Sequence, residues 1–230
     1  MAGVRLVTGY VRLDGHRPHE RYVELGNRLL SLPLPITLFT DAAGFSPGPS
    51  VEVRPAGRLW LQSMIGDASP IIPRTDNPTK DTLAYHCVQH QKTAWLAEAA
   101  REHPGDMLLW VDLGILHVPQ VTRAHVARAV GLAERIPPDV VTLASIWGEP
   151  TKPIDPGVIS WHCAGGVAAC HASRAWTWHQ SVVAEASGGE VLATSTVREL
   201  CAGSGLTFVD RGLRELAGLP EPWRVYSVSR

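Results

Sequence analysis

Met107-Leu-Leu-Trp-Val-Asp-Leu-Gly-Ile-Leu-His117 is the stretch on which the reading of this chain turns. Five apolar residues, Met107 to Val111, run straight into Asp112, and Gly114 follows two positions later. An uninterrupted apolar run of this length between turn residues predicts a strand buried on both faces. Ligands of open α/β sheets bind beyond the carboxyl ends of the strands, which makes Asp112 the first candidate for a working residue. A carboxylate that only caps the turn is the equal alternative from this stretch alone.

Working outward, Thr79 to His103 reads as the strongest helix, bounded by Pro78 and by Pro104-Gly105. Val88, Trp95 and Ala99 form one stripe, and Lys92 falls in the middle of it. A lysine on a buried face needs a partner, so Lys92 is expected to point into a site or pair with a strand-end carboxylate. The alternative is a snorkelling lysine whose stem covers apolar surface. His86 and His90 share another face at i, i+4, a metal-pair spacing without a third ligand, and a structural or solvated pair is the expectation.

Val4 to Val11 predicts a first strand, with Thr8 and Gly9 near its end, where backbone can approach a ligand. A helix from Arg17 to Pro33 carries Tyr22, Leu25, Leu29 and Leu30 as its apolar stripe. Ile36 to Thr40 is a second strand closed by Asp41, and Val51 to Arg54 a short third. Gly66 to Pro78 reads as loop. After the opening stretch come an amphipathic helix, Val121 to Arg135, and a buried strand, Val140 to Ala144. Val158 to Cys170 is then expected as a strand interrupted by Gly165-Gly166, a pattern that marks a bulge or a close approach. A helix from Ser173, a further helix from Glu190 to Cys201, a strand from Leu206 to Asp210 and a C-terminal edge strand complete the reading. The alternation predicts an α/β fold, residues 1–230 forming one domain.

The 230 residues are 45% hydrophobic and 19% charged with a formal net charge of −1, which gives enough apolar material for a core and no electrostatic demand for a polyanion partner. No apolar run approaches the ~20 residues of a membrane span. The N-terminus carries no signal-peptide pattern, and Cys87, Cys163, Cys170 and Cys201 match no zinc-ligand spacing. A cytoplasmic protein with reduced thiols is the expectation.

Tyr85, Lys92, Trp95-Leu96, Glu98-Ala99 and Leu109 to His117 resemble the HtrL/YibB-like family of bacterial and phage proteins, in which a helix lysine precedes an aromatic-rich strand ending in Asp-x-Gly. That family is similar in layout to nucleotide-sugar glycosyltransferases of the GT-A fold. The resemblance implies a GT-A-like, Rossmann-related α/β fold, with a mixed, mostly parallel sheet flanked by helices. Residues 1–117 would form the nucleotide-binding half and 118–230 the sugar and acceptor half. It is sharp between Tyr85 and His117 and moderate from Gly165 to Leu200, where Gly165-Gly166 and the helix from Ser173 resemble the segment after the metal-binding strand.

By this resemblance the chain is expected to move a sugar from a nucleoside-diphosphate sugar to a carbohydrate or other hydroxyl acceptor. Asp112, Glu190 and Lys92 are the catalytic candidates, with Glu190 as base or sugar contact. Thr8, Gly9, Asp41, Asp112, Gly114, Gly165 and Gly166 are the donor-binding candidates. The usual Asp-x-Asp metal motif is Asp112-x-Gly114 here. One carboxylate is left to hold Mn²⁺ or Mg²⁺ against the donor phosphates, with His117 and His162 as the nearest histidines. Three alternatives remain open. One is a phage-type enzyme that glycosylates modified DNA bases, for which Arg54, Arg58, Arg74 or Arg174 would line a basic groove. Another is a nucleotide-sugar-binding protein without transfer activity. The third is a plain α/β fold with no sugar role, in which Asp112 and Lys92 form a structural pair.

Overall fold

The computed structural model describes residues 3–15, 18–66, 77–145, 163–185, 191–194, 198, 207–214 and 222–229. The elements are strand β1 (Val4–Tyr10), helix α1 (His19–Leu30), β2 (Ile36–Thr40), β3 (Val51–Arg54), α2 (Trp60–Ile65), α3 (Leu83–Glu102) and β4 (Met107–Val111). A 3-10 turn (Ile115–His117) follows, then α4 (Arg123–Ala133), β5 (Val141–Ser145), β6 (Cys163–His171), α5 (Ala172–Glu185), β7 (Val191–Thr194), β8 (Thr207–Arg214) and β9 (Trp223–Ser229). No described helix is long and apolar enough to cross a membrane.

The fold is mixed α/β. Six strands form one sheet in the order β3-β2-β1-β4-β6-β5. The first four are parallel, and β6 is antiparallel to both of its neighbours, so it alone opposes the common direction. Every residue of β2 and β4 is buried, as the uninterrupted apolar runs predict. Helices cover both faces. Leu25, Leu29 and Leu30 of α1 and Val126, Val130 and Ala133 of α4 pack on Leu6, Leu38, Leu109 and Val111. Trp95, Leu96, Ala99 and Ala100 of α3 and Ala172 and Ala175 of α5 pack on Val7, Phe39, Leu108, Trp110 and Cys170. The period-2 alternation of β4 thus sends Leu109 and Val111 one way and Leu108, Trp110 and the next alternate residue, Asp112, toward α3.

α3 starts at Leu83, not Thr79, because the Thr82 hydroxyl caps it by accepting from the Tyr85 amide at 3.2 Å. The expected helix from Glu190 to Cys201 is corrected at its start: Val191–Thr194 is a strand, paired antiparallel with β9 in a second, three-stranded sheet of order β7-β9-β8, whereas Arg198, also described, is helical. Cross-strand pairing outweighs the helical pattern there. The C-terminal strand β9 lies at the centre of that sheet and not at an edge. Glu190 itself, together with His162 and Arg74, lies outside the described residues. The glycine pair does mark a bulge: the β5–β6 register jumps from Leu143–Ala168 to Ala144–Ala164, leaving Gly165, Gly166 and Val167 looped out relative to β5.

Candidate functional site

β1 leads to β2 on one side and has β4 as its neighbour on the other, so the strand order reverses between β1 and β4. The carboxyl ends of two such strands part and leave a crevice. A cleft opens there, lined by Gly9, Tyr10 and Val11 from the end of β1 and by Asp112 and Gly114 from the end of β4. Tyr85, Val88, Gln89 and Lys92 of α3 form its wall, with Tyr22, Lys80 and His117 at its margins. Its volume of about 200 Å³ is below the ~300 Å³ at which pockets begin to enclose a whole small molecule.

Asp112 is the centre. Its Oδ1 accepts from Lys92 Nζ at 2.8 Å and from the Trp110 indole N–H at 2.8 Å. The ammonium also stands 5.7 Å from the centre of the Trp110 ring, close enough for a cation–π attraction. The Lys92 side chain is 13% exposed and that of Asp112 37%. An ammonium this far withdrawn from water has lost much of its hydration, and the carboxylate replaces it. The Asp112 backbone N–H donates to Gly166 O at 2.9 Å. A Cβ at Gly166 would lie 3.2 Å from Asp112 Oδ2, so the bulge glycine keeps the second carboxylate oxygen clear. Helical spacing on α3, strand alternation on β4 and the bulge in β6 therefore converge on one carboxylate.

Tyr85, one helical face with Lys92, has its phenol pushed up to about 12, by burial first, then by the negative charge of Asp112 and by Tyr22. It is a proton donor throughout the physiological range. The sign follows from linkage: an unfolded phenol ionises near 10.0 while the folded one does not, so stability is intact below 10 and falls as pH rises toward 12. Ultraviolet titration of phenolate is expected to show a step near 12 that disappears in Tyr85→Phe. A step at the ordinary tyrosine value would remove Tyr85 from the neighbourhood of Asp112. His117 Nδ1 is 2.6 Å from Gly114 O. A carbonyl only accepts, so Nδ1 carries the proton and Nε2 of the neutral ring is an acceptor.

Lys92, Asp112, Gly114, Gly166 and His117 are thus brought together with Gly9 at the same cleft, while Thr8 and Asp41 are placed elsewhere. The Thr8 hydroxyl is fully buried with no hydrogen-bond partner among the described residues, on the strand face opposite Gly9. Asp41 is solvent-exposed past the end of β2 and does not line the cleft. Gly9 lines it, but the group that approaches its backbone is an indole: a Cβ there would lie 2.4 Å from Trp95 Cζ3. Gly165 belongs to the bulge. Tyr85, Tyr22, Gln89, Lys80 and Trp110 were not assigned to the site from sequence. The signals existed, since Tyr85, Val88, Gln89 and Lys92 follow the i, i+3, i+4, i+7 pattern and Trp110 shares a strand face with Asp112.

Among the described residues, no divalent-cation shell gathers around Asp112. Oδ1 of Asp112 already has two donors. Gly114 adopts a φ of −87°, open to any residue, yet a Cβ there would meet Tyr22 Cε1 at 2.9 Å, so Tyr22 fills the space of a second carboxylate. Among the described residues the one cluster of three metal-capable side chains is Glu52, Glu102 and His103. There Glu52 is bound by His103 at 3.0 Å, Arg54 at 2.8 Å and Arg5 at 3.8 Å, and Glu102 pairs with Arg54. That network ties the end of α3 to the sheet, and the His103 hydrogen bond leads the causes holding the Glu52 carboxyl below its usual range. Arg54 is thereby committed, and among the described residues the cleft is lined by two lysines and no arginine. Burial lowers the pKa of both His86 and His90, and no third ligand joins them among the described residues. No protein-family model matches this chain, and no curated protein or solved structure is significantly similar to it.

Proposed function

We propose that this chain is a glycosyltransferase of GT-A-like architecture that moves a sugar from a nucleoside-diphosphate sugar to an acceptor hydroxyl. The observation that carries the reading is the Lys92–Asp112 pair at the mouth of the crevice between β1 and β4. Support also comes from the aromatic lining of that crevice and from the sequence resemblance over Tyr85 to His117. In this reading the Lys92 ammonium offsets the charge that develops on the leaving diphosphate. Asp112 orients Lys92 and accepts from a donor hydroxyl through Oδ2. Tyr85 and Gln89 fix the sugar by hydrogen bonds, and the walls of the cleft hold the anomeric carbon in line. Glu190 is the proposed base for the acceptor hydroxyl.

A second reading, a nucleotide-sugar-binding protein without transfer, is favoured by one observation. Asp112 is the single carboxylate lining the cleft among the described residues, and it is paired. Purified protein is to be screened against uridine, guanosine and cytidine diphosphate sugars by thermal shift and by nucleotide release. A saturating donor is expected to raise the melting temperature by about 5–10 °C and to be turned over to free nucleoside diphosphate. A shift without release selects the binding protein, and neither shift nor release with any donor defeats both readings.

A further inference from the structure

We infer that the cleft binds the diphosphate of its ligand without a divalent cation, the Lys92 ammonium holding the place beside Asp112 that a metal ion would take. This rests on the nucleotide-sugar reading of the site and adds to it the charge that meets the phosphates.

Three observations bear on the point independently. First, Asp112 Oδ1 is saturated on its cleft side by two donors at 2.8 Å, one of them a full positive charge. A Mg²⁺ bound to the same oxygen at its usual ~2.1 Å would lie within about 5 Å of that ammonium and would repel it. Second, the position where a second carboxylate would complete a metal shell is Gly114, and Tyr22 closes it: a Cβ would meet that ring at 2.9 Å. Third, Lys92 is held in place by its surroundings. Its side chain is only 13% exposed, and its head lies between the carboxylate and the Trp110 ring. A charge fixed before the ligand arrives loses little freedom on binding, which is what a metal ion otherwise provides. Lys80 at the cleft margin adds a second positive charge. Asp112 then acts as the positioning residue for Lys92.

Uridine, guanosine and cytidine diphosphates titrated calorimetrically into the full chain, once in EDTA and once in Mn²⁺, test the inference. For whichever nucleotide binds, the two dissociation constants are expected to agree within about threefold. Electron spin resonance of Mn²⁺ with wild-type protein is expected to show no bound ion attributable to Asp112. Lys92→Met, which keeps the stem, is expected to weaken binding in EDTA about 10- to 100-fold, the scale of a charge-assisted contact. Mn²⁺ should restore part of that loss, now that the oxygen is open, and Lys92→Arg should stay within about tenfold of wild type. Binding that requires Mn²⁺ in wild type, or a Mn²⁺ signal abolished by Asp112→Asn, overturns the inference and leaves the nucleotide-sugar reading standing. Absence of binding in both buffers overturns that reading and this inference with it. Melting curves of each variant separate loss of binding from loss of fold. Should Lys92→Met not fold, the wild-type comparison in EDTA and Mn²⁺ decides alone.

Discussion

Asp112→Asn is expected to lower the proposed sugar transfer by a hundredfold or more, with the melting temperature falling by only a few degrees. The substitution is nearly isosteric, so the β4 end and the Asp112 N–H bond to Gly166 O persist. What changes is charge. The Lys92 ammonium loses the carboxylate 2.8 Å away, and the amide presents either an oxygen without charge or an NH₂ that repels it. Breaking a fully buried pair leaves an uncompensated charge at about 3–5 kcal/mol. Here Asp112 is over a third exposed, so water repays part, and about 1–2 kcal/mol is the expected loss. For a chain of this length that is roughly 2–6 °C. The catalytic loss is larger because it is positional. Removing one preorganised electrostatic partner at a reacting centre typically slows the chemical step by about 10²–10³, and here Lys92 swings away as its anchor goes.

A double-mutant cycle with Lys92→Met separates this from a purely structural pair. A structural pair predicts that Lys92→Met/Asp112→Asn regains stability with no consequence for ligand binding. The functional assignment predicts that the double variant regains the stability and still fails to bind or turn over a donor. Donor binding and turnover at wild-type levels in the double variant would end the assignment.

Much of this arrangement is written locally. The burial of β4, the turn at Asp112, the partner for Lys92 and the bulge at Gly165-Gly166 each follow from a short-range pattern: an apolar run, a helical stripe, a glycine pair. What the chain does not announce locally is which neighbour claims a small residue. Thr8 and Gly9 read alike as strand-end positions open to a ligand, yet β-alternation sends the Thr8 hydroxyl into the α1 side of the core. Gly9 is claimed by Trp95, 86 positions later in sequence. Gly114 is likewise claimed by Tyr22 from α1. Such claims are tertiary, fixed by the packing of two helices on opposite faces, and no window along the chain contains both partners. The six-residue α2 is too short to establish a 3.6 period, and β7 becomes a strand by pairing with β9.

Gly9→Ala is expected to destabilise the chain by about 3 kcal/mol, at the upper end for overpacking a core, and to lower the melting temperature by roughly 6–12 °C. On backbone entropy alone the same change would stabilise by a few tenths to 1 kcal/mol, so the sign depends on the neighbour. The added methyl would lie 2.4, 2.5 and 2.9 Å from three ring carbons of Trp95. That indole has nowhere to go. It is 1% exposed, stacked between Phe39 and Trp110 with both centroids at 5.8 Å and both interplanar angles at 12°, and its N–H donates to Ala56 O at 3.0 Å. Retreat from the methyl breaks the hydrogen bond or pushes the stack. A push travels to Trp110, whose own N–H holds Asp112 Oδ1, so donor binding is expected to weaken along with stability. Trp95→Leu alone should cost a few kcal/mol for the cavity it leaves, but Gly9→Ala/Trp95→Leu should be more stable than the sum of the two losses, because the smaller side chain makes room for the methyl. Chemical denaturation of the four proteins reads that coupling directly. A Gly9→Ala chain within about 0.5 kcal/mol of wild type would mean the stack yields freely, and Gly9 would return to consideration as the point where the ligand meets the backbone of β1.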